Sequence, residues 1–322
     1  MMRRRTFFGL AAGAVALAGI PRAATALDYP DRPVRMVVGY PAGITPDIVT
    51  RIVAQSLSQR FGQQFVVDNR PGASSNIATE IVAHAPPDGY TLLTLTATNV
   101  INTTLFEKLN FDLIRDIAPV AGLIRSPNVV VVNPAVPART LPEFIAYAKA
   151  NPGKINYASA GSGSATNVAG ELFKTMAGVD LMHVPYRANY LPDLLSGQVQ
   201  AAFSPVAQVI EFIKSGKLRA LAVTGANRIN TLPGIPPAAE FVPGYEAYVW
   251  DAIGTPVHTP SDIINRLHQE IDGALAEPAL QSRFAELGAE PMPMTPADLG
   301  KFMVAETDKW AKVIKSANIK PE

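Results

Sequence analysis

Residues 34–47 read VRMVVGYPAGITPD, a short β-branched run followed by a glycine-containing turn and the start of a helix. The apolar run at 34–38 predicts a strand, and residues 47–60 place apolar side chains on one helical face. Thr45 is predicted to be the N-cap, with Pro46 at the first helical position and Asp47 favoured by the helix dipole. The segment predicts a βα unit whose turn presents backbone N–H groups to an anion. A well-capped helix without a ligand fits the same residues.

The same alternation continues along the chain. Short β-branched runs alternate with helical patterns, such as residues 165–177 and the tail at 296–317. That alternation is typical of a parallel sheet covered by helices, so the predicted fold class is α/β. The predicted strands are 34–38, 63–67, 91–95, 128–132, 155–158, 181–184, 199–203 and 218–223.

Two segments are predicted to cross between two lobes. Residues 120–132 and 245–256 are largely apolar and carry Pro or Gly at their boundaries, and a chain of 322 residues, 48% hydrophobic, can form two cores. We assign residues 27–125 plus 249–322 to lobe I and 126–248 to lobe II, each a sheet flanked by helices, with the crossings as hinges. Two buried strands within one domain are the alternative interpretation.

The N-terminal residues have the pattern of an export signal. Arg3-Arg4-Arg5 precede an apolar stretch at 6–20, and Ala24-Thr25-Ala26 forms a small-residue cleavage site. The apolar stretch is shorter than a membrane-spanning helix. We expect cleavage near Ala26 and a periplasmic protein, exported by the twin-arginine route or by ordinary secretion.

Charge and cysteine content exclude several classes of function. The export segment holds four arginines and no acid, so the remaining 24 basic and 27 acidic residues give a net charge of −3. Nucleic-acid binding requires a basic patch and is not expected. The chain has no cysteine, which excludes disulfides, iron–sulfur clusters and a thiol nucleophile.

A second turn suited to an anion follows the predicted strand at 155–158. Its sequence is SAGSGS (residues 159–164), in which glycines free the backbone to turn N–H groups toward a ligand and serines add uncharged donors. This combination suits a carboxylate. The turn lacks the third glycine of a dinucleotide-binding motif, and Ala160 stands where a nucleophile elbow has glycine.

The sequence shows no catalytic or metal-binding pattern. No two histidines have metal-ligand spacing, so we expect no metal, no cofactor and no catalytic residue. An exported hydrolase that uses Ser162 or Ser164 with a histidine is the alternative from another functional class. The histidines are His84, His183, His258 and His268, of which His183 and His258 are the candidates for that role.

Further motifs are distributed along the whole mature chain. They are YPDRPVR (29–35), DNRPGA (68–73), PDGYTLL (87–93), NYASAG (156–161), GELF (170–173), HVPYR (183–187), GQV (197–199) and GKLRALAVT (216–224). In this order they resemble the Bug family of extracytoplasmic solute receptors, the substrate-binding components related to tripartite tricarboxylate transporters. The resemblance implies a two-lobed periplasmic binding protein that closes on a small carboxylated solute.

The resemblance also implies which residues bind the solute. In such receptors the first turn (residues 39–45) and the second turn (residues 159–164) grip one carboxylate from opposite lobes, through backbone N–H groups and bridging waters. By position, the ligand-binding residues are Tyr40 at the cleft mouth; Ala42, Gly43, Ile44 and Thr45 in the first turn; Thr96 and Ala97 on the wall of lobe I; Ser159, Gly161, Ser162, Gly163 and Ser164 in the second turn; Ser204 on the wall of lobe II; and Arg187 and Asn189 in the loop at the distal end of the ligand.

Two departures from the family pattern concern this site. The family usually has two consecutive glycines in the first turn, whereas Ala42-Gly43-Ile44 stands here, and a β-branched residue is strained where φ is positive. We therefore expect a different shape for this turn. The loop after Arg187 is shorter than in the family, and Tyr190 in it either stacks on an aromatic solute or covers a hydrophobic edge.

The expected function is capture of a small organic acid, a mono- or dicarboxylate, aromatic or aliphatic. The expected partners are this ligand and the membrane permease components of a tripartite tricarboxylate transporter, with the receptor acting as a monomer. A sensor that passes its bound state to a membrane kinase is the alternative within the same fold.

Overall fold

The computed structural model describes residues 29–186 and 189–321, which form an α/β structure of strands flanked by helices. The strands are β1 Val34–Val38, β2 Phe65–Asn69, β3 Thr91–Thr96, β4 Ile117–Val132, β5 Asn156–Ser159, β6 Met182–Pro185, β7 Ala201–Pro205, β8 Arg219–Val223, β9 Tyr248–Pro256 and β10 Glu290–Pro291. The helices are α1 Thr45–Phe61, α2 Asn76–Ala83, α3 Ala97–Leu105, α4 Leu113–Asp116, α5 Leu141–Ala150, α6 Ala165–Ala177, α7 Leu191–Ser196, α8 Val206–Lys214, α9 Ser261–Leu275, α10 Pro278–Glu286 and α11 Pro296–Ser316.

The strands form two half-sheets joined by β4. Their order is β2-β1-β3-β9-β4-β7-β5-β6, with β8 and β10 also paired to β4. Through residues 117–127, β4 pairs with β9, and through residues 128–132 it pairs with β7 and β8. The first half-sheet thus contains β1, β2, β3, β9 and β10, and the second contains β5, β6, β7 and β8. This is a two-lobed arrangement in which each half-sheet carries its own helices.

The centre of the structure differs from the predicted parallel sheet. The pairs of β1 with β2 and β3 are parallel, as are those of β5 with β6 and β7. The pairs of β9 with β3 and β4, and of β4 with β7 and β8, are antiparallel. The α/β fold class is confirmed, but the parallel pairing that the alternation indicated is limited to the outer strands, because both crossing strands run through the centre without an intervening helix.

The two predicted crossings fall on β4 and β9. These strands pair with each other along most of their length, from Ile117 opposite Pro256 to Pro127 opposite Tyr248. Beyond that pair, the Thr224 N–H donates to the Asn128 carbonyl and the Ala247 N–H donates to the Thr224 carbonyl. The assignment of 27–125 plus 249–322 and of 126–248 to the two lobes stays a prediction.

A continuous apolar core connects the half-sheets on one side. It includes Leu105 of α3, Phe173 of α6 and Trp250 of β9. The tail helix α11 packs here through Trp310, and the carboxylate of Glu306 accepts hydrogen bonds from the indole N–H groups of Trp250 (3.2 Å) and Trp310 (2.9 Å). The two other faces have separate cores, so α11 belongs to the face that the lobes share.

Within residues 29–186 and 189–321, no helix has the length and apolar character needed to cross a membrane. The predicted export signal at 1–26 lies outside the described residues.

Candidate functional site

The first turn places its one positive φ on glycine. Gly43 has φ of +88°, whereas Ile44 has φ of −98° and ψ of 166° and is the N-cap of α1. The prediction that Thr45 is the N-cap was wrong by one residue, because α1 already begins at Thr45. The expected strain at Ile44 is absent, since that residue is extended. Ala42, Gly43, Ile44 and Thr45 are all exposed to solvent.

A buried carboxylate anchors the first turn from inside. Asp47 is only 2% exposed, and its carboxylate accepts hydrogen bonds from the N–H of Gly43 at 2.8 Å, from Arg51 at 3.0 Å and from the Asn69 amide at 2.8 Å. Burial by itself raises the pKa of Asp47, but the hydrogen bonds from Arg51, Gly43 and Asn69 lower the pKa below its ordinary value overall. The N–H of Gly43 is therefore used within the turn. The N–H groups of Ile44 and Thr45 precede the first intrahelical bond, which the Ile48 N–H donates to the Ile44 carbonyl.

The end of β3 lies beside the first turn. The Tyr40 hydroxyl lies 3.1 Å from the Thr96 hydroxyl, and the Thr96 N–H donates to the Asn99 side chain at 2.7 Å, which fixes the start of α3 at Ala97. Burial raises the pKa of Tyr40, so its hydroxyl stays protonated. Tyr40, Thr96 and Ala97 thus lie together, at the edge where β1 and β3 end.

The sequence analysis missed a third turn at this edge. Ala73, Ser74 and Ser75 follow β2, and all three have positive φ. Gly39 lies so close to Ser75 that a Cβ on Gly39 would overlap the serine side chain. Consecutive left-handed residues other than glycine store strain, and such strain persists where the surroundings fix it, often at functional sites. The motif DNRPGA was visible in the sequence, but its conformation was not.

The second turn is held by its own side chains. The Ser164 hydroxyl caps α6 by accepting from the Asn167 N–H at 3.3 Å, and it donates to the Gly161 carbonyl at 2.7 Å. The N–H of Gly161 donates to the Ser159 hydroxyl at 3.2 Å, and that of Gly163 donates to the Asn167 side chain at 2.9 Å. Positive φ falls on Gly161 and Gly163. The predicted N–H donors at these two glycines are therefore engaged inside the turn.

The structure shows a serine–histidine contact that involves Ser159, which is not one of the two serines named in the hydrolase alternative. The Ser159 hydroxyl lies 2.7 Å from Nε2 of His183, and Ser159 is fully buried. A buried hydroxyl that also bonds within its own turn is positioned to hold the backbone rather than to attack a substrate. Ser159, at the end of β5, is thus connected to His183 of β6.

Tyr190 packs against the second half-sheet beside the end of β7. This ring is 4% exposed, and its hydroxyl lies 2.7 Å from the Ser204 hydroxyl at the end of β7. Tyr190 therefore covers a hydrophobic edge, as one of the two interpretations held. Asn189 is exposed, and its side chain accepts from the Leu191 N–H at 3.0 Å. Arg187 lies outside the described residues.

The two halves of the site meet at Gly163. A Cβ on this glycine would overlap the side chain of Leu105, which ends α3 of the first half-sheet. The structure thus brings together Tyr40, Thr96 and Ala97 in one group and Ser159, Gly161, Gly163 and Ser164 in another. Leu105 packs against Gly163 of the second group. The role of each residue in binding stays a prediction.

Asp251 is a polar residue at this site that the sequence analysis did not select. It lies in β9, opposite Thr96 of β3, and is fully buried. Neither of its carboxyl oxygens has a hydrogen-bond partner among the described residues. Burial raises the pKa of Asp251 to about 7. The available signal was a single acid inside the apolar run at 247–254.

Residues 49–319 match the sequence model of a protein family described as "Tripartite tricarboxylate transporter family receptor". The chain belongs to this family. Its receptors are extracytoplasmic solute-binding proteins rather than enzymes, so the hydrolase alternative is wrong and the resemblance to Bug receptors is confirmed.

Curated and solved relatives of this receptor cover nearly all of it. Protein BugT of Bordetella pertussis is 34% identical over 311 residues, which are 95% of this chain and 95% of BugT. A structure of an R. palustris protein with adipate is 36% identical, with a TM-score of 0.79 over 92% of this receptor and 100% of that chain. MatC from Rhodopseudomonas palustris with bound malate is 29% identical, with a TM-score of 0.75 over 89% of this receptor and 100% of that chain.

Proposed function

We propose that this receptor captures a small dicarboxylate in the periplasm and delivers it to the permease of a tripartite tricarboxylate transporter. The observation that carries the proposal is the pair of helix N-termini, α1 and α6, each reached from a strand of a different half-sheet through a glycine turn. A helix N-terminus favours an anion by about 0.3–1 kcal/mol at an exposed site. Two of them can hold a carboxylate without a charged side chain.

The ligands of two similar structures support the chemical class. The R. palustris protein was solved with adipate and MatC with malate, and both ligands are dicarboxylates. The Bug-type motifs and the expected signal at residues 1–26 support a periplasmic location. The family description supports delivery to a permease, and we propose that the receptor acts as a monomer.

The first test is binding of a carboxylate panel that includes adipate and malate. Isothermal titration and thermal unfolding of the mature protein should identify at least one ligand. A ligand at one hundred times its Kd stabilises the folded state by about 2.7 kcal/mol. The diamide of each active acid is the matched control, because it keeps the shape and lacks the charge. The absence of a response to every acid would contradict the proposal.

A matched pair of variants tests the contribution of α1. Thr45 is exposed and begins the helix, so Thr45→Asp adds a negative charge where the ligand carboxylate is proposed to lie, and acids are tolerated in a first turn. We expect the affinity to fall about tenfold or more. Thr45→Asn has a similar shape without the charge and should bind nearly as the wild type does. Equal affinities for the two variants would place the anion elsewhere.

Closure of the lobes is the second part of the proposal. The paired strands β4 and β9 are the crossings around which the half-sheets would rotate. Small-angle scattering with saturating adipate or malate, whichever binds, should show a smaller radius of gyration than the unliganded protein. A scattering curve unchanged by a bound ligand would rule closure out.

A further inference from the structure

Asp251 is a buried acid in the middle of β9. Both oxygens are shielded from solvent and lack a hydrogen-bond partner among the described residues. Burying a polar group without a hydrogen bond costs free energy, and native structures keep few such groups without a reason. The group is therefore a candidate for contact with something that enters the cleft.

The strand register directs this carboxyl to the predicted binding edge. Asp251 pairs directly with Thr96 of β3, and directly opposite residues of an antiparallel pair project from the same face of the sheet. The Thr96 hydroxyl contacts the Tyr40 hydroxyl, and the charge of Asp251 acts on Tyr40. Tyr40, Thr96 and Asp251 thus form one polar group beside the start of α1.

Within residues 29–186 and 189–321, no counter-ion lies against Asp251. The residues next to Asp251 are uncharged: Tyr40 follows β1, Thr96 lies opposite on β3, and Ile124 lies opposite on β4. Two nearby charged side chains have partners of their own: Arg51 pairs with Asp47 on α1, and Arg125 of β4 pairs with Glu290.

We propose that Asp251 is a specificity-determining residue of the carboxylate site, where its protonated carboxyl donates a hydrogen bond to an anionic oxygen of the solute. The inference rests on the proposed function. A carboxyl and a carboxylate in contact share one proton, because two negative charges at that distance repel each other. The solute would therefore be bound together with a proton, and ionisation of Asp251 would expel it.

The sign of the pH effect follows from this arrangement. Burial raises the pKa of Asp251 to about 7 in the folded protein, and a bound carboxylate raises the pKa further. Binding takes up a proton wherever unliganded Asp251 is ionised, so affinity falls as the pH rises through about 7. Asp251→Asn keeps a donor of the same shape at every pH and cannot take up a proton.

The experiment is titration of adipate and malate into wild type and Asp251→Asn at about pH 6 and about pH 8. For the wild type we expect a loss of affinity of about tenfold between these values, with a binding heat that changes with the ionisation enthalpy of the buffer. For Asp251→Asn we expect no proton uptake and a flat profile. Equal profiles for the two proteins, or no proton uptake by the wild type, would overturn the inference and leave the proposed function standing. No binding by either protein at either pH would overturn both.

Unfolding provides a readout that does not need the ligand. Because the folded pKa lies above the unfolded value, the proton on Asp251 stabilises the folded state, and this contribution is lost as the pH rises from about 4 to about 7. The urea midpoint of the wild type should fall relative to that of Asp251→Asn across this range. A constant difference would show that Asp251 is ionised in the folded protein, which contradicts the inference.

Discussion

The first turn and the second turn occupy equivalent places in their half-sheets, yet they are fixed in different ways. Ala42 to Thr45 are exposed, and one carboxylate, that of Asp47, holds Gly43 from within. In the second turn, the hydroxyls of Ser159 and Ser164 and the amide of Asn167 bind backbone groups of the turn itself. The second turn is thus set before any ligand arrives, whereas the first can adjust its outer residues.

This difference indicates how one scaffold can serve several solutes. A fixed turn lowers the entropy that binding would otherwise cost, and a set of internal hydrogen bonds keeps its geometry when the outer residues change. Relatives that differ in the exposed first turn would then bind different solutes, while the second turn would keep its geometry for binding the carboxylate. The substitutions below compare the two turns through the free energy of unfolding.

The largest effect is expected from glycine replacement. Gly163→Ala must place a Cβ against Leu105 and accept φ of +75°, whereas Gly43→Ala has φ of +88° with open space around it. We expect a loss of about 2–4 kcal/mol for Gly163→Ala and about 1 kcal/mol for Gly43→Ala, measured by urea unfolding. Equal losses would mean that the contact between Gly163 and Leu105 contributes nothing.

Removal of the internal anchor of the first turn comes next. Asp47→Ala leaves the Gly43 N–H and Arg51 without their acceptor, which should cost about 2 kcal/mol at neutral pH. The folded pKa of Asp47 is lowered, so its contribution is present above the unfolded pKa and lost as the pH falls through the folded value. Asp47→Asn keeps an acceptor and serves as control. Its deficit relative to the wild type should shrink in acid, and a deficit independent of pH would contradict this account.

The cap of the second turn should contribute less. Ser164→Ala removes the acceptor of the Asn167 N–H, and loss of such a cap costs about 1 kcal/mol. Ser164→Thr keeps the hydroxyl and should recover most of the stability in the same unfolding measurement. If the threonine variant is as unstable as the alanine variant, the hydroxyl is not the stabilising group.

The smallest effects concern the two tyrosine hydroxyls. Tyr190→Phe removes a buried hydrogen bond to Ser204 at 2.7 Å, and Tyr40→Phe removes a longer contact with Thr96 at 3.1 Å. We expect about 1 kcal/mol for Tyr190→Phe and about 0.5 kcal/mol for Tyr40→Phe from thermal unfolding. The reverse order would mean that the edge at β1 and β3 is the more rigid one.

Local patterns predicted the outer parts of the fold well. The bounds of β1 and α6 agree with the sequence analysis, because a strand bounded by a turn and a helix ended by Gly178 give clear local signals. The predicted strand at 63–67 began two residues before β2, which starts at Phe65. Such an offset is expected where the residues just before a strand carry no turn signal that marks its start.

The centre of the fold depends on pairing that local patterns do not contain. The strand β4 runs through Pro119, Gly122 and Pro127, residues that normally end a strand. It continues because β9 pairs along it and register shifts near Pro119 and Gly122 absorb the irregularity. Local patterns predicted both turns and the family resemblance implied that they share one carboxylate, whereas the internal partners of Gly43, Gly161 and Gly163 depend on contacts that only the folded chain defines.

The carboxylate of Glu306 joins the only two tryptophans of the sequence, Trp250 and Trp310, at the seat of α11. Intrinsic tryptophan emission will therefore report whether the C-terminal helix is docked. Because Trp250 directly precedes Asp251 in β9, we expect the same emission to change when a solute contacts Asp251.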